Sequence, residues 1–283
     1  AARIGRETEA AGYADKAEGL RRRIDSLLWD ERDGLYYDRD GAGSPVRVAT
    51  IASLMPLWAG VPDAARAARL AARILAADGF GTAMPLPSVA RGEPQFERDM
   101  WRGPVWLNTA YGVILGLRRY GYEREAAEHA WRLCLGVYRV FAAERRIYEF
   151  YDPDHHHTRH LHRKRGNRWK ALTLGTGPQK DFVGWTGLAN NLLLEVVFGL
   201  DLSNDRLRLC PRLPPAARGL RLALRLPRHD LQLSVQSTAD GVTGSVSQAG
   251  QSASFSAGYG ATIDLTAVLH GATEGNTPCA SAT

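Results

Sequence analysis

Trp101-Arg102-Gly103-Pro104-Val105-Trp106-Leu107-Asn108 is the stretch on which the reading of the fold turns. Gly103-Pro104 interrupts the chain, because proline fixes φ and removes a backbone donor, so a helix starts only after it. From Trp106 onward, Ala110, Val113, Ile114 and Leu117 follow the i, i+4, i+7, i+8, i+11 spacing that gathers apolar side chains on one helix face. The same period recurs on both sides. Residues 11–28 read as a helix, residues 64–77 as an alanine-rich second one, and residues 123–141 as another, entered by an acidic first turn. Trp185, Leu188, Ala189, Leu192, Leu193 and Val196 give a last helix, stopped by Gly199. A short helix is expected over about 48–58 despite its β-branched residues.

After Asp201 the period changes from 3.6 to 2. Leu220, Leu222, Leu224 and Leu226 alternate with Arg221, Ala223 and Arg225, Leu231, Leu233 and Val235 repeat the pattern, and Asp240-Gly241 signals a hairpin. Strands are expected near Leu207 and over 242–246, 253–256 and 262–265. The division that follows is a helical portion over 1–200, a small antiparallel β-sandwich-like domain over 201–269, and a polar, disordered tail over 270–283.

Composition removes several classes. With 283 residues, 45% hydrophobic and 23% charged, the chain matches neither collagen, nor disordered chains, nor disulfide scaffolds. No window approaches the roughly 18 uninterrupted apolar residues of a membrane span. The first eleven residues are charged and lack an apolar core, so no signal peptide is read, and a start at Ala1 instead of Met fits a fragment. The formal charge is +6, and only four of the 36 basic residues are lysines, a bias that reads as genome composition. Three scattered cysteines, Cys134, Cys210 and Cys279, form no CxxC, so neither a disulfide framework nor a zinc site is indicated. Cytoplasm is the expected location.

The loops between helices are rich in rings and charges: Trp29-Asp30-Glu31, Leu35-Tyr36-Tyr37-Asp38, Met84-Pro85-Leu86-Pro87-Ser88, the 99–106 stretch, and Tyr148-Glu149-Phe150-Tyr151-Asp152-Pro153. Rings stack on the apolar faces of pyranoses, and charged groups bind vicinal hydroxyls, so this repeated association points to sugar. For any one ring the plainer reading is that it caps the helical core.

Trp101 to Asn108 resembles a motif of the (α/α)6-barrel glycoside hydrolases of the family 63 type, which includes processing α-glucosidases and mannosylglycerate hydrolases. Leu28-Trp29-Asp30-Glu31, Gly34-Leu35-Tyr36-Tyr37-Asp38, Pro56-Leu57-Trp58-Ala59-Gly60, Gly81-Thr82, Glu149-Phe150-Tyr151-Asp152-Pro153 and Phe182-Val183-Gly184-Trp185-Thr186 extend the resemblance over roughly 10–200. It implies an inverting hydrolase acting on an α-linked glucoside or mannoside, with two carboxyl groups about 6.5–9.5 Å apart. It assigns the general base to Glu149, whose ring neighbours would limit its hydration and raise its pKa. Glu144, before Arg145-Arg146, reads instead as a solvated helix end. The family's acid lies in a Gly-Trp-Asp-like word that this chain lacks, and about six helices are found where the family toroid has twelve. The chain is therefore expected to hold half of the toroid plus the β domain, and to lack its acid. Asp99 is the in-sequence substitute, with an arginine partner as its plain alternative.

Supporting roles fall on Arg102, as a fork for a hydroxyl or a carboxylate, and on Trp101, Trp106, Asn108, Tyr151 and Trp185 as substrate-binding candidates. The segment after Pro153 departs from the family: His155, His156, His157, His160 and His162 precede Arg163-Lys164-Arg165, Arg168 and Lys170. No acid or cysteine completes a metal spacing, so no metal and no cofactor are expected, and the run reads as a solvated basic loop. A nucleic-acid module and a non-catalytic carbohydrate-binding or scaffold fragment are the rival readings. Nucleic acid is set aside because the basic run is confined to one loop, which leaves a carbohydrate as the expected partner, away from membranes. Oligomeric state is open.

Overall fold

The computed structural model describes residues 1–202, 207–227, 230–271 and 277–278. α1 (Glu7–Leu28) opens with two acids, Glu7 and Glu9, favourably placed at the positive end of a helix dipole. A short antiparallel hairpin follows it, β1 (Trp29–Asp30) against β2 (Leu35–Tyr36). The expected helix over 48–58 is a 3-10 turn at Ile51–Leu54 running into α2 (Met55–Ala59), with proline in the first turn of α2. The proline lacks only a donor that a helix start leaves unpaired anyway.

α3 (Ala64–Leu75) is capped by the Asp63 carboxylate, which accepts from the Arg66 backbone N–H at 2.8 Å, and it buries Ala67, Leu70, Ala71 and Ile74. α4 (Leu107–Arg119) buries Ala110, Val113, Ile114 and Leu117, the face read from the sequence. It crosses α2 closely because Gly116 has no side chain: a Cβ there would lie 2.8 Å from the Trp58 backbone nitrogen. α5 (Glu123–Glu144) buries Ala126, Ala130, Leu133, Cys134, Val137 and Val140 against α4 and the helix at 188–197. That last helix is a composite. A 3-10 turn at Trp185–Gly187 leads into α7 (Leu188–Asn191), which continues as a π-helical stretch over Leu192–Val197. A further helix, α6 (Arg168–Leu174), lies inside the basic run that the sequence presented as a loop.

Beyond residue 199 the chain is mainly strand. β5 (Arg221–Leu226), β6 (Leu231–Ser237), β7 (Gly241–Gln248) and β8 (Gln251–Gly258) form a four-stranded antiparallel sheet in chain order. Leu231, Leu233, Val235, Val246 and Phe255 face inward, as the alternation required. In a second sheet, β3 (Leu200–Asp201), β4 (Arg208–Leu209), β9 (Ala261–Asp264) and β10 (Thr277–Pro278) pair in the order β10-β9-β4-β3. One apolar core runs from Leu57, Leu117 and Val137 through Val196 and Leu209 to Val235 and Ile263, joining helices and sheets.

Three expectations change. The strand expected over 262–265 ends at Asp264, whose carboxylate accepts from Thr266 and Ala267 N–H at 3.1 Å each and so caps α8 (Leu265–Leu269). Thr277–Pro278, placed in the tail, pairs with β9, while 272–276 and 279–283 lie outside the described residues. Cys210 is disulfide-bonded, whereas Cys134 is buried and free. Among the described residues, no helix is long and apolar enough to cross a membrane.

Candidate functional site

Backbone pairing brings the two motif loops together. Val105 N–H donates to Tyr151 O at 2.9 Å and Tyr151 N–H donates back to Val105 O at 3.0 Å, while Val105 also bridges Pro87. Gly103 N–H donates to Ser88 Oγ at 2.9 Å and Ser88 N–H to Pro104 O at 3.0 Å. Gly103 is required here: its φ of 151° and the 2.2 Å from a would-be Cβ to Glu97 O admit no side chain. This tight turn sets Trp106 against Phe150 of the loop carrying Glu149, with Trp101 stacked on Trp106.

The two indoles stack at 3.8 Å with a 6° angle. Trp106 is buried and donates to Met100 O at 3.0 Å, with Phe150 and Trp185 packed at 4.9 and 5.6 Å. Trp101 is 44% exposed and supplies the outer face of the wall. Trp185 is half-buried, and its indole N–H donates to Glu149 O at 2.7 Å. Trp106, Phe150 and Leu161 form a small apolar cluster, against which Met100 and Trp185 pack. Asn108 sits half-buried in the first turn of α4, its Oδ1 without a hydrogen-bond partner among the described residues. Tyr151 turns the other way. It is fully buried, and its hydroxyl accepts from Tyr148 N–H at 3.0 Å, which makes it part of the core and not of an open wall.

Glu149 is 9% exposed, but rings are not its whole surroundings. The guanidinium of Arg163 forms an ion pair with its carboxylate. Arg163 is itself 8% exposed, donates from Nε to Gly177 O at 3.2 Å, and lies over the Phe150 ring at 5.7 Å. Burial pulls the Arg163 pKa below its ordinary value. Sequence reasoning placed Arg163 in a solvated loop, so this contact was missed.

Asp99 is 2% exposed and fully engaged. Its oxygens accept from Lys164 N–H at 2.5 Å, Arg165 N–H at 2.8 Å and Arg102 Nη2 at 3.0 Å. Burial pushes its carboxyl up, but the Arg165 amide, the Arg102 guanidinium and the Lys164 amide outweigh it and hold the pKa below the ordinary range. Arg102 also pairs with Glu97 at 2.9 Å, so its fork serves carboxylates of this chain. Glu144 is no solvated helix end: it accepts from Thr158 N–H and Oγ1, both at 2.8 Å. Burial raises its carboxyl, yet hydrogen bonds from Tyr148 and Thr158 bring the pKa down.

The histidines cluster beside this site. Rings of His155, His157 and His160 lie 5.0–5.4 Å apart, and His155 Nδ1 is 3.2 Å from Asp152, a fully buried carboxylate paired with Arg98 at 3.0 Å. Among the described residues, no group of three or more His, Cys, Asp or Glu side chains is disposed to hold a metal ion. A cleft of about 540 Å3 opens between Asp99, Trp101, Arg102, Lys164 and Asn167, on the outer side of the indole stack.

A helical scaffold presenting an indole wall beside buried, paired carboxylates is an arrangement found in carbohydrate-processing proteins. Residues 1–169 match the family model of the mannosylglycerate hydrolase MGH1-like glycoside hydrolase domain, and the chain belongs to that family. A mannosylglycerate hydrolase of Rubrobacter radiotolerans is 32% identical over 198 residues, covering 67% of this chain and 38% of that protein. One from Thermus thermophilus is 39% identical over 130 residues, 44% of this chain and 29% of that protein. The chain thus spans well under half the length of these relatives. A solved structure titled sialidase shares the fold at a TM-score of 0.55, with 14% identity, 92% of this chain and 24% of that chain covered.

Proposed function

We propose that the chain supplies the general-base half of an inverting glycosidase site on an incomplete (α/α)6 toroid, acting on an α-linked glucoside or mannoside. In this reading, residues 1–200 carry the barrel portion and 201–269 a supporting β domain. Glu149 is the base that activates water, Trp101 and Trp185 are the rings on which a pyranose stacks, backed by the buried Trp106, Asn108 binds a hydroxyl, and Arg102 orients the Asp99 and Glu97 carboxylates. Tyr151 positions the loop from within the core. The observation that supports the reading is the hydrogen bond from Trp185 Nε1 to the Glu149 carbonyl, which ties the Glu149 loop to a ring packed 5.6 Å from Trp106, in a member of this family.

A glycosyl fluoride tests the base without the acid, because fluoride departs unprotonated. The chain is expected to release fluoride from α-mannosyl or α-glucosyl fluoride and to form the β-anomer first, with Glu149→Gln slowing release by about 10²–10⁴. Release that Glu149→Gln leaves unchanged refutes the assignment. The rival, a non-catalytic carbohydrate-binding or scaffold fragment, draws support from the three donors that saturate Asp99. It predicts sugar-dependent quenching of tryptophan fluorescence with no turnover of either fluoride.

A further inference from the structure

Both candidate carboxylates are held by one short segment of the chain. His162 N–H donates to Arg98 O at 2.8 Å and Met100 N–H donates to His162 O at 3.0 Å, which lays residue 162 alongside Asp99 as a parallel bridge. The next residue, Arg163, turns inward to the Glu149 carboxylate, and its own N–H is tied to Thr176 O at 2.8 Å. Lys164 and Arg165 then place both amide N–H groups on the two oxygens of Asp99. Lys164 has a φ of 51°, the left-handed region, so the chain doubles back there in a conformation that an L-residue keeps only when its surroundings hold it. The four residues thus run between Glu149 and Asp99 and contact both. Their length and basic content come from the segment after Pro153 that departs from the family pattern.

We infer that residues 162–165 form an intramolecular strap that masks Glu149, with Arg163 as the cation on its carboxylate and Asp99 as the anchor, so that a ligand reaches Glu149 only after the strap is displaced. A guanidinium on the carboxylate and its ring-stacked flank occupies the space a water nucleophile and a sugar hydroxyl would need. The anchor accounts for the second carboxylate: Asp99 is spent on holding the strap. Release is local, because Arg163 and its two neighbours are joined to the rest of the fold by a handful of hydrogen bonds, outside the main apolar core. The inference concerns regulation of the proposed site and rests on the reading of Glu149 as its working carboxylate.

Carboxyl labelling tests the mask without any turnover. The folded chain is treated with a water-soluble carbodiimide and glycine ethyl ester, and modification of Glu149 is followed by peptide mass spectrometry, with exposed Glu7 as the reference. Arg163→Ser is expected to raise the Glu149 labelling rate at least about tenfold, the scale of losing a buried ionic partner, while Glu7 labels as before. Asp99→Asn, which loosens the strap from its other end and leaves the Arg163 side chain intact, is expected to raise labelling several-fold and to speed hydrogen exchange at the Lys164 and Arg165 amides. Unchanged Glu149 labelling in a folded Arg163→Ser chain overturns the strap. If that variant does not fold, unchanged labelling and amide exchange in Asp99→Asn overturn it instead. The two readings fail separately: unmasking by Arg163→Ser together with fluoride hydrolysis by that unmasked chain that Glu149→Gln leaves unchanged keeps the strap standing and removes the base.

Discussion

Tyr151→Phe separates a structural role from a substrate-binding one at a residue that the motif alone cannot resolve. The substitution deletes a single oxygen. The ring stays in a fully buried site, so the change in packing is minor, and the cost falls on the Tyr148 N–H, which loses its acceptor at 3.0 Å. An orphaned buried donor costs about 1–3 kcal/mol. Taking ~2 kcal/mol, the folding equilibrium falls by roughly 30-fold. Urea unfolding followed by tryptophan fluorescence at neutral pH reads this directly. The alkaline limb supplies a second measurement. Burial pushes the Tyr151 hydroxyl up to about 12, against about 10 in an unfolded chain. The folded state therefore holds the proton more tightly, and the resulting stability is full below about pH 10 and lost as pH rises through about 12. At about 1.4 kcal/mol per pH unit, roughly 2–3 kcal/mol of the parent's stability disappears across that window, and the phenylalanine variant has no such loss. The stability gap should narrow accordingly, since the other buried tyrosines titrate alike in both proteins. A variant as stable as its parent at pH 7, with the same alkaline slope, would refute the core assignment.

Two further outcomes follow from buried geometry. His129 is 2% exposed, and burial, helped by nearby Arg132, lowers its pKa to about 4. Its folded value lies below the unfolded 6.5 or so, so stability is complete above that pH and falls by about 3 kcal/mol as pH drops through 4. A His129→Gln chain should lose this acid slope in pH-dependent melts, and an identical slope would remove His129 as its source. Gly103→Ala meets a forbidden φ and the Glu97 carbonyl at once. It is expected to cost about 3 kcal/mol and to alter the near-ultraviolet circular dichroism of the Trp101–Trp106 stack. Parental melting and an unchanged spectrum would show that the turn tolerates a side chain.

Helices were legible where one face is buried and repeats: α3, α4 and α5 each bury residues three and four apart, and that periodicity survives without knowledge of the partner. β5 and β6 were legible for the equivalent reason with a period of two. α6 escaped because it buries none of its residues, so it has no apolar stripe to detect. Its cap was available as a signal: Asn167 accepts from Lys170 N–H at 2.9 Å, and an asparagine immediately before a helical run marks a start. The same holds for Asp264, whose role as a cap ends β9 and starts α8. The site divides along similar lines. Trp106 and Glu149 lie in local words, which is why the sequence singles them out as candidates. Arg163 pairs with Glu149 across fourteen positions of intervening chain whose path no periodicity encodes, and an arginine in a basic run looks solvated until the chain has folded. Tyr151 was misread for a related reason, because an aromatic beside a catalytic-looking glutamate points to the same side only if the backbone does.

The π-helical stretch at Leu192–Val197 sets an angular phase between the two halves of the chain. A π turn accommodates one residue more than an α turn, and such stretches behave as inserted residues held in place by later contacts. Here Glu195 accepts from the Tyr111 hydroxyl at 2.7 Å and Asn191 Nδ2 at 3.0 Å, and β3 begins only a few residues on. Because the stretch already holds one residue more than ordinary winding needs, deleting one residue within 192–197 would return the helix to α geometry and leave Leu200 near its present phase against Leu209. The same deletion in α5, which has no surplus residue, would turn everything beyond it by about 100°. The junction between helices and sheets is thus a gear with one spare tooth: it can absorb a change of length that a plain helix cannot.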